Sequence, residues 1–365
     1  MRFSGWAWEK TNSGVYESSM EFILDMLSER VQLNENVLVP DTCSTPTGRR
    51  AFLTHQDSSG PLEFWLDTTV ASIFLPAVLG ECTPGASKVT CAIVPTANRK
   101  TLPSLSATIN STKFLRKIAG AGVKRVTIRS DGGPGNLPTL QVELVGGTET
   151  RDAPDATKTV GDLNELGKIL ANTTCRLYLA DEDLPYTTMV NHPIKTKSFE
   201  VTIEPQFKED PIIGTEGLDP ELYVPESWRI RASLTVPYTA GAGASGVSPG
   251  TVQWLARYMG ADNVPDADGI VGAVTRVWDL MKSTKIPLAF EMKFTYDTTY
   301  NLQINIDKAI IIDPPDYNEE GKVIKDVGLV LEALYNYESA DKTIEAVIGT
   351  DTTGAADLPG YVAPT

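Results

Sequence analysis

Two stretches, Lys195–Phe207 and Trp228–Tyr238, constrain this chain more than any other feature. In the first, Phe199, Val201 and Ile203 alternate with Ser198, Glu200, Thr202 and Glu204. In the second, Trp228, Ile230, Ala232, Leu234 and Val236 alternate with Arg229, Arg231, Ser233 and Thr235. Successive side chains of a strand point to opposite faces, so this period of two sorts apolar from polar groups. The pattern predicts an antiparallel pair with one face in a core and one in water. The connection between them, roughly twenty residues, is far longer than a hairpin needs.

The same order of elements precedes it. The periodicity predicts a short helix over Ser18–Glu29 (Met20, Ile23, Leu24, Leu27) and a strand over Asn36–Pro40. A loop, Asp41–Gly60, carries Arg49 and Arg50. A half-buried strand follows (Leu62, Phe64, Leu66), then an apolar core helix, Val70–Leu79, stopped by Gly80 and kinked by Pro76. Further strands are expected at Lys88–Val94, Ser104–Ile109, Val123–Arg129 and Thr139–Val145, with the turn Asp131–Asn136 between the last two. A connector, Gly146–Pro193, contains one amphipathic helix, Val160–Leu170.

The second half repeats this order. Its long loop, Phe207–Ser227, lies inside the opening pair, and a helix, Thr251–Met259, stops at Gly260, 180 positions after Gly80. Another helix, Ile270–Met281, and strands at Leu288–Tyr296, Asn301–Asp307, Ala309–Asp313 and Val327–Tyr335 complete it. The acidic tail, Glu338–Thr365, is rich in Gly, Ala, Thr and Pro and is expected to be an arm or partly disordered. Identity between the halves is low, so the repeat is one of architecture. The fold class expected is mainly β with short helices: two tandem β-sandwich or barrel domains, 1–175 and 176–340, and a C-terminal arm, 341–365.

Motifs that carry chemistry are scarce. The two histidines, His55 and His192, have no metal-ligand spacing around them. Gly241, Gly243 and Gly246 match G-x-G-x-x-G, but the preceding strand alternates where a parallel dinucleotide-binding strand would be nearly all apolar. Asp262, Asp266, Asp268 and Gly269 look calcium-like, yet Val264 stands where an EF-hand needs an oxygen ligand and Thr275 where it needs a glutamate. The four cysteines include no C-x-x-C pair, Cys91 reads as a small core hydrophobe, and no disulfide framework is implied. No enzyme and no cofactor or metal is expected. No window approaches ~18 apolar residues, so no membrane insertion is expected. A net charge of −15 argues against tight gripping of nucleic acid.

The run CRLYLADEDLPYTTMVNHPIKTKSFEVTIEPQF resembles the opening of the tail-tube (major tail) proteins of long-tailed bacteriophages. FLRKIAGAGVKRVTIRSDGGPGNLPTLQVELVG resembles that family's closing hairpin. The resemblance covers about a third of the chain. It implies β-sandwich domains that close edge to edge into a ring with a continuous inner barrel, the rings stacking into a tube that conducts DNA. Six single-domain chains make a ring in simpler members; two domains per chain would make it trimeric and pseudo-hexameric. The partners implied are the chain itself, tape-measure, terminator and distal tail proteins, and passing genomic DNA held without tight binding. The location implied is the virion tail, after assembly in host cytoplasm.

A lumen lined with carboxylates would repel DNA, which carries one charge per ~1.7 Å of helix axis. Glu63, Glu143, Glu200, Glu204 and Glu291 are the lumen-facing candidates. Arg49, Arg50, Lys208, Glu209, Asp210 and Glu216, on the two long loops, are the candidates for contact between rings. A tail terminator or baseplate hub-ring protein, and a tandem β-sandwich binding module, are the alternatives.

Overall fold

A helix that is apolar all round must be covered all round. Helix α1, Thr68–Leu79, meets that condition, with every residue but Thr69 buried. Asp67 caps its start, its carboxylate accepting from the Val70 amide at 2.7 Å. The helix runs through Pro76 and ends on Gly80, which takes a left-handed φ of 81° and returns its amide to the Pro76 carbonyl at 2.9 Å. A computed structural model describes this helix together with residues 3–9, 16, 22–38, 52–84, 88–93, 102–111, 113–133, 136–157, 169–181, 193–207, 225–237, 288–313, 316–320, 323–334 and 343–349.

The fold is mainly β, and every strand pairing among the described residues is antiparallel. The first half supplies β1 (Phe3–Trp8), β2 (Phe22–Leu24), β3 (Ser28–Glu29), β4 (Gln32–Leu38) and β5 (Phe52–Trp65). After α1 come β6 (Glu81–Pro84), β7 (Lys88–Ile93), β8 (Leu105–Asn110), β9 (Leu115–Ser130), β10 (Thr139–Val145) and β11 (Thr148–Asp152). The second half adds β12 (Cys175–Asp181), β13 (Pro193–Ile194), β14 (Ser198–Phe207), β15 (Pro225–Pro237) and β16 (Leu288–Thr295). It ends with β17 (Asn301–Ile311), β18 (Asp316–Glu320), β19 (Val323–Ala333) and β20 (Ile344–Gly349).

One run of neighbours goes β3-β5-β10-β9-β14-β15-β19-β18. Its central seam is β9 against β14, from Phe199↔Ser130 to Ile203↔Val126, and it joins the two halves of the chain in one ladder. A second run goes β12-β16-β17-β20-β7-β6. Strand β17 turns the corner between the runs: Leu302–Asn305 pairs with β20, and Ala309–Ile311 with β19. A further flap, β2-β1-β8, lies on the first part of β9, with β11 also on that part.

Helix α1 touches β9, β10 and β14 of the first run and β7, β17 and β20 of the second. One hydrophobic core therefore draws on both halves. Trp6, Phe64 and Phe74 form an edge-and-tilt aromatic cluster with centroids 4.8–6.3 Å apart. Trp228, from the second half, donates its indole N–H to the Val78 carbonyl of α1 at 2.9 Å.

Several expectations are corrected. Ser18–Glu29 holds the strands β2 and β3 rather than a helix; Ile23 and Leu24 are buried side by side, while Leu27 is 42% exposed. Pairing with β1 and β5 meets the backbone's needs there and overrides a weak helical period. The expected loop Asp41–Gly60 is strand from Phe52 onward, and β5 carries Gly60 at a φ of 142° with Arg30 O 2.5 Å from where a Cβ would stand. Asn301–Asp307 and Ala309–Asp313 belong to one strand, β17, whose alternation slips at Asp307 and Lys308, where it passes from one run to the other. The tail is not all arm: β20 is a paired strand between β17 and β7. Of Val160–Leu170, only the end is described, where Ile169 bridges Asp67 and the Leu170 amide meets the Leu66 carbonyl at 3.0 Å. The helices at 251–259 and 270–281, the two glycine- and aspartate-rich motifs and His192 lie outside the described residues.

Asp67 combines its cap with burial. Its second carboxylate oxygen has no hydrogen-bond partner among the described residues, and burial pushes its carboxyl up to about 6. An unfolded Asp titrates near ~3.9, so the neutral acid's stabilising contribution is complete below pH ~4 and is lost as pH rises through 6. Asp67→Asn keeps a cap acceptor without the charge. It should leave stability at pH 4 nearly unchanged and raise it by about 1–2 kcal/mol at pH 8; urea denaturation at the two pH values measures the difference.

Candidate functional site

Alternation on β5, β9, β10, β14, β15 and β19 builds one broad polar face, opposite the face that covers α1. The registers set its rows. One crosses Glu63, Gln141, Thr127, Thr202, Arg231 and Glu332; the next crosses Trp65, Thr139, Arg129, Glu200, Ser233 and Val330. Glu143 faces Arg125 and Glu204 faces Arg229. The face thus brings together four of the five carboxylates singled out from the sequence: Glu63, Glu143, Glu200 and Glu204.

Arginines stand between them. Arg129 donates to Glu63 at 2.8 Å, Arg125 donates to Glu143, and Arg231 donates to Glu332 at 2.8 Å. Lys124 lies 3.7 Å from Glu143, and the Thr127 and Thr202 hydroxyls meet across the seam at 3.3 Å. Burial alone would push the Glu63 carboxyl up, but the Arg129 guanidinium, with Thr139 and Ser28, holds it below the usual carboxylate range. The Glu143 carboxylate, with Glu204 and Glu200 nearby, holds Arg125 more firmly protonated against partial burial.

On this face the carboxylates Glu63, Glu143, Glu200, Glu204, Asp326 and Glu332 are matched by the cations Lys124, Arg125, Arg129, Lys197, Arg229 and Arg231, six against six. The carboxylates expected at the lumen thus share one face with as many cations. The net −15 of the chain therefore resides elsewhere. A balanced face neither grips phosphates by counterion release nor strongly repels them.

Glu291 does not share this face. It lies on β16 in the other run, opposite Tyr178 and Asn305, and is 5% exposed. Burial pushes its carboxyl above the usual range, only partly offset by Lys293. Arg49, Arg50, Lys208, Glu209, Asp210 and Glu216 lie outside the described residues.

Sequence reasoning passed over Arg125, Arg129 and Glu332, although V-K-R-V-T-I-R carries the same period of two as β14. The turn expected at Asp131–Asn136 also positions the seam, a role its sequence does not announce. Gly132 follows β9 at a φ of 67°, and a Cβ there would fall 1.7 Å from the Lys197 carbonyl oxygen just before β14, so only glycine fits. Beside the turn is a groove of about 410 Å³ bordered by Asn172, Cys175, Arg176 and Lys195. Burial pushes the Cys175 thiol up to about 12, despite nearby Arg176, so it stays protonated at neutral pH. No helix among the described residues is long and apolar enough to cross a membrane. The sequence matches no protein-family model and no curated protein.

Proposed function

We propose that this chain is a structural subunit that closes with copies of itself into rings, three chains to a ring, and that the rings stack into the tail tube of a long-tailed bacteriophage. The β9–β14 seam carries the reading: the two halves of the chain are already joined edge to edge by an antiparallel ladder. In the order found, β3 and β18 end the polar-faced run. A ring that pairs these ends between copies removes the exposed edges and continues the same sheet around a barrel.

In this reading residues 1–175 and 176–340 are two tube domains, and the polar face lines the bore. Its balanced charge lets DNA slide past without adhering. The loops bearing Arg49 and Arg50, and Lys208 to Glu216, meet the next ring. Tape-measure, terminator and distal tail proteins are the partners at the ends of the tube, and assembly takes place in the host cytoplasm before the virion leaves.

Sedimentation velocity over a hundredfold range of concentration tests the proposal. A discrete species of three chains, or larger multiples of it, is the expected result. A chain that stays monomeric throughout overturns the proposal and favours the tandem binding module.

A further inference from the structure

We propose that Cys82 and Cys91 are a modification site, a thiol pair that closes into a cross-strand disulfide when the protein meets a disulfide oxidant. They come from the hairpin β6–β7, where they are register partners in the antiparallel ladder. Directly opposed residues of such a ladder hold their Cα atoms ~4.5–5.5 Å apart, within the span a disulfide bridges. Their Sγ atoms already stand 2.7 Å apart, and both cysteines are free. The two observations are independent: the register would place the Cα atoms whatever rotamers the thiols chose.

The environment divides the labour. Cys82 is half-buried and Cys91 is fully buried. Burial, with Cys82 alongside, holds the Cys91 thiol far above its ordinary range. Cys82 is therefore the sulfur that a small oxidant reaches first. As thiolate it attacks one sulfur of oxidised glutathione, forming a mixed disulfide and releasing one glutathione thiolate. Cys91 gives its proton to solvent and attacks the Cys82 sulfur, and the second glutathione thiolate leaves. Two protein thiols are oxidised and one glutathione disulfide is reduced to two thiols.

The bond would staple the outer end of the run β6-β7-β20-β17, in which β7 also holds the C-terminal strand β20. Local opening of β6 would then be suppressed, because a cross-link over so short a loop removes conformations from the opened state.

The test uses the full chain, folded, incubated with oxidised glutathione, then denatured, alkylated and digested. The expected result is a peptide in which Cys82 is joined to Cys91, with Cys43 and Cys175 alkylated, and hydrogen exchange of the β6 and β7 amides slowed about tenfold. Cys91→Ser should stop at the mixed disulfide on Cys82. Full alkylation of both cysteines in the oxidised wild type, arrest of the wild type at the mixed disulfide, or pairing of Cys82 with Cys43 would each overturn the proposal. None of these outcomes depends on whether the chain forms rings.

Discussion

Replacing Arg116 by methionine should destabilise the fold by about 3 kcal/mol, because it takes the main partner from a buried carboxylate. Arg116 lies on β9, 6% exposed, and its guanidinium grips Glu149 of β11 twice, at 3.0 and 2.6 Å. It also reaches Glu29 of β3 at 2.6 Å and the Val31 carbonyl at 2.7 Å. The Glu149 side chain has no exposed surface and takes two further hydrogen bonds, from Ser58 at 2.8 Å and Arg151 at 2.7 Å. One cation thus ties together the strand at the centre of the sheet and the segments at its margin. Burial would raise the Glu149 carboxyl, but Arg116, Arg151 and Ser58 together hold it below the usual range.

The sign of the pH dependence follows. A depressed carboxyl contributes stability above the unfolded Glu pKa of ~4.3 and loses it as pH falls through the folded value. In Arg116→Met the carboxylate keeps only Ser58 and the half-exposed Arg151 and takes a proton more readily. The gap between wild type and variant should therefore be widest at neutral pH and narrow below pH ~4. The double variant Arg116→Met, Glu149→Leu should recover most of the loss, since apolar groups can replace a buried pair where a lone charge cannot. Urea denaturation of the three proteins at pH 7 and pH 4 measures all of this; a single variant within 1 kcal/mol of wild type at pH 7 would contradict it.

Thr202→Pro should cost at least ~3 kcal/mol and remove cooperativity between the two halves. Thr202 sits inside β14, flanked on one side by Thr127 of β9 and on the other by Arg231 of β15. Proline there deletes a ladder hydrogen bond from a strand paired on both sides. Because α1 and Trp228 share the core behind the seam, the damage should spread to both halves. Calorimetry should show one transition in wild type and a broadened or split one in the variant. If the halves were independent bodies joined by a linker, wild type itself would unfold in two steps.

Strands with one wet face were legible in the sequence. Strand β10 occupies Thr139–Val145, as its alternation predicts, because one side faces α1 and the other faces solvent. The first part of β9 was not legible: Leu115–Val123 is buried on nearly every residue, so L-R-K-I-A-G-A-G-V shows no alternation. Strand β6 was hidden by its length and by Pro84, and with it the opposition of Cys82 and Cys91.

The polar face was half legible for the same reason. Its carboxylates stand in clean period-two strands, but Arg129 meets Glu63 and Glu200, and Arg231 meets Glu332, only through pairing between residues roughly 66 to 101 positions apart, which no local pattern encodes. Asp67 before an apolar run is a cap signal that was readable and passed over.

Negative-stain electron microscopy of the purified chain alone, across a concentration series, tests the central claim most directly. Long tubes of uniform width with a regular axial repeat are the predicted result. Closed rings that never stack would retain edge-to-edge closure but move the chain to a terminator or hub ring. Small single particles at every concentration would contradict the account.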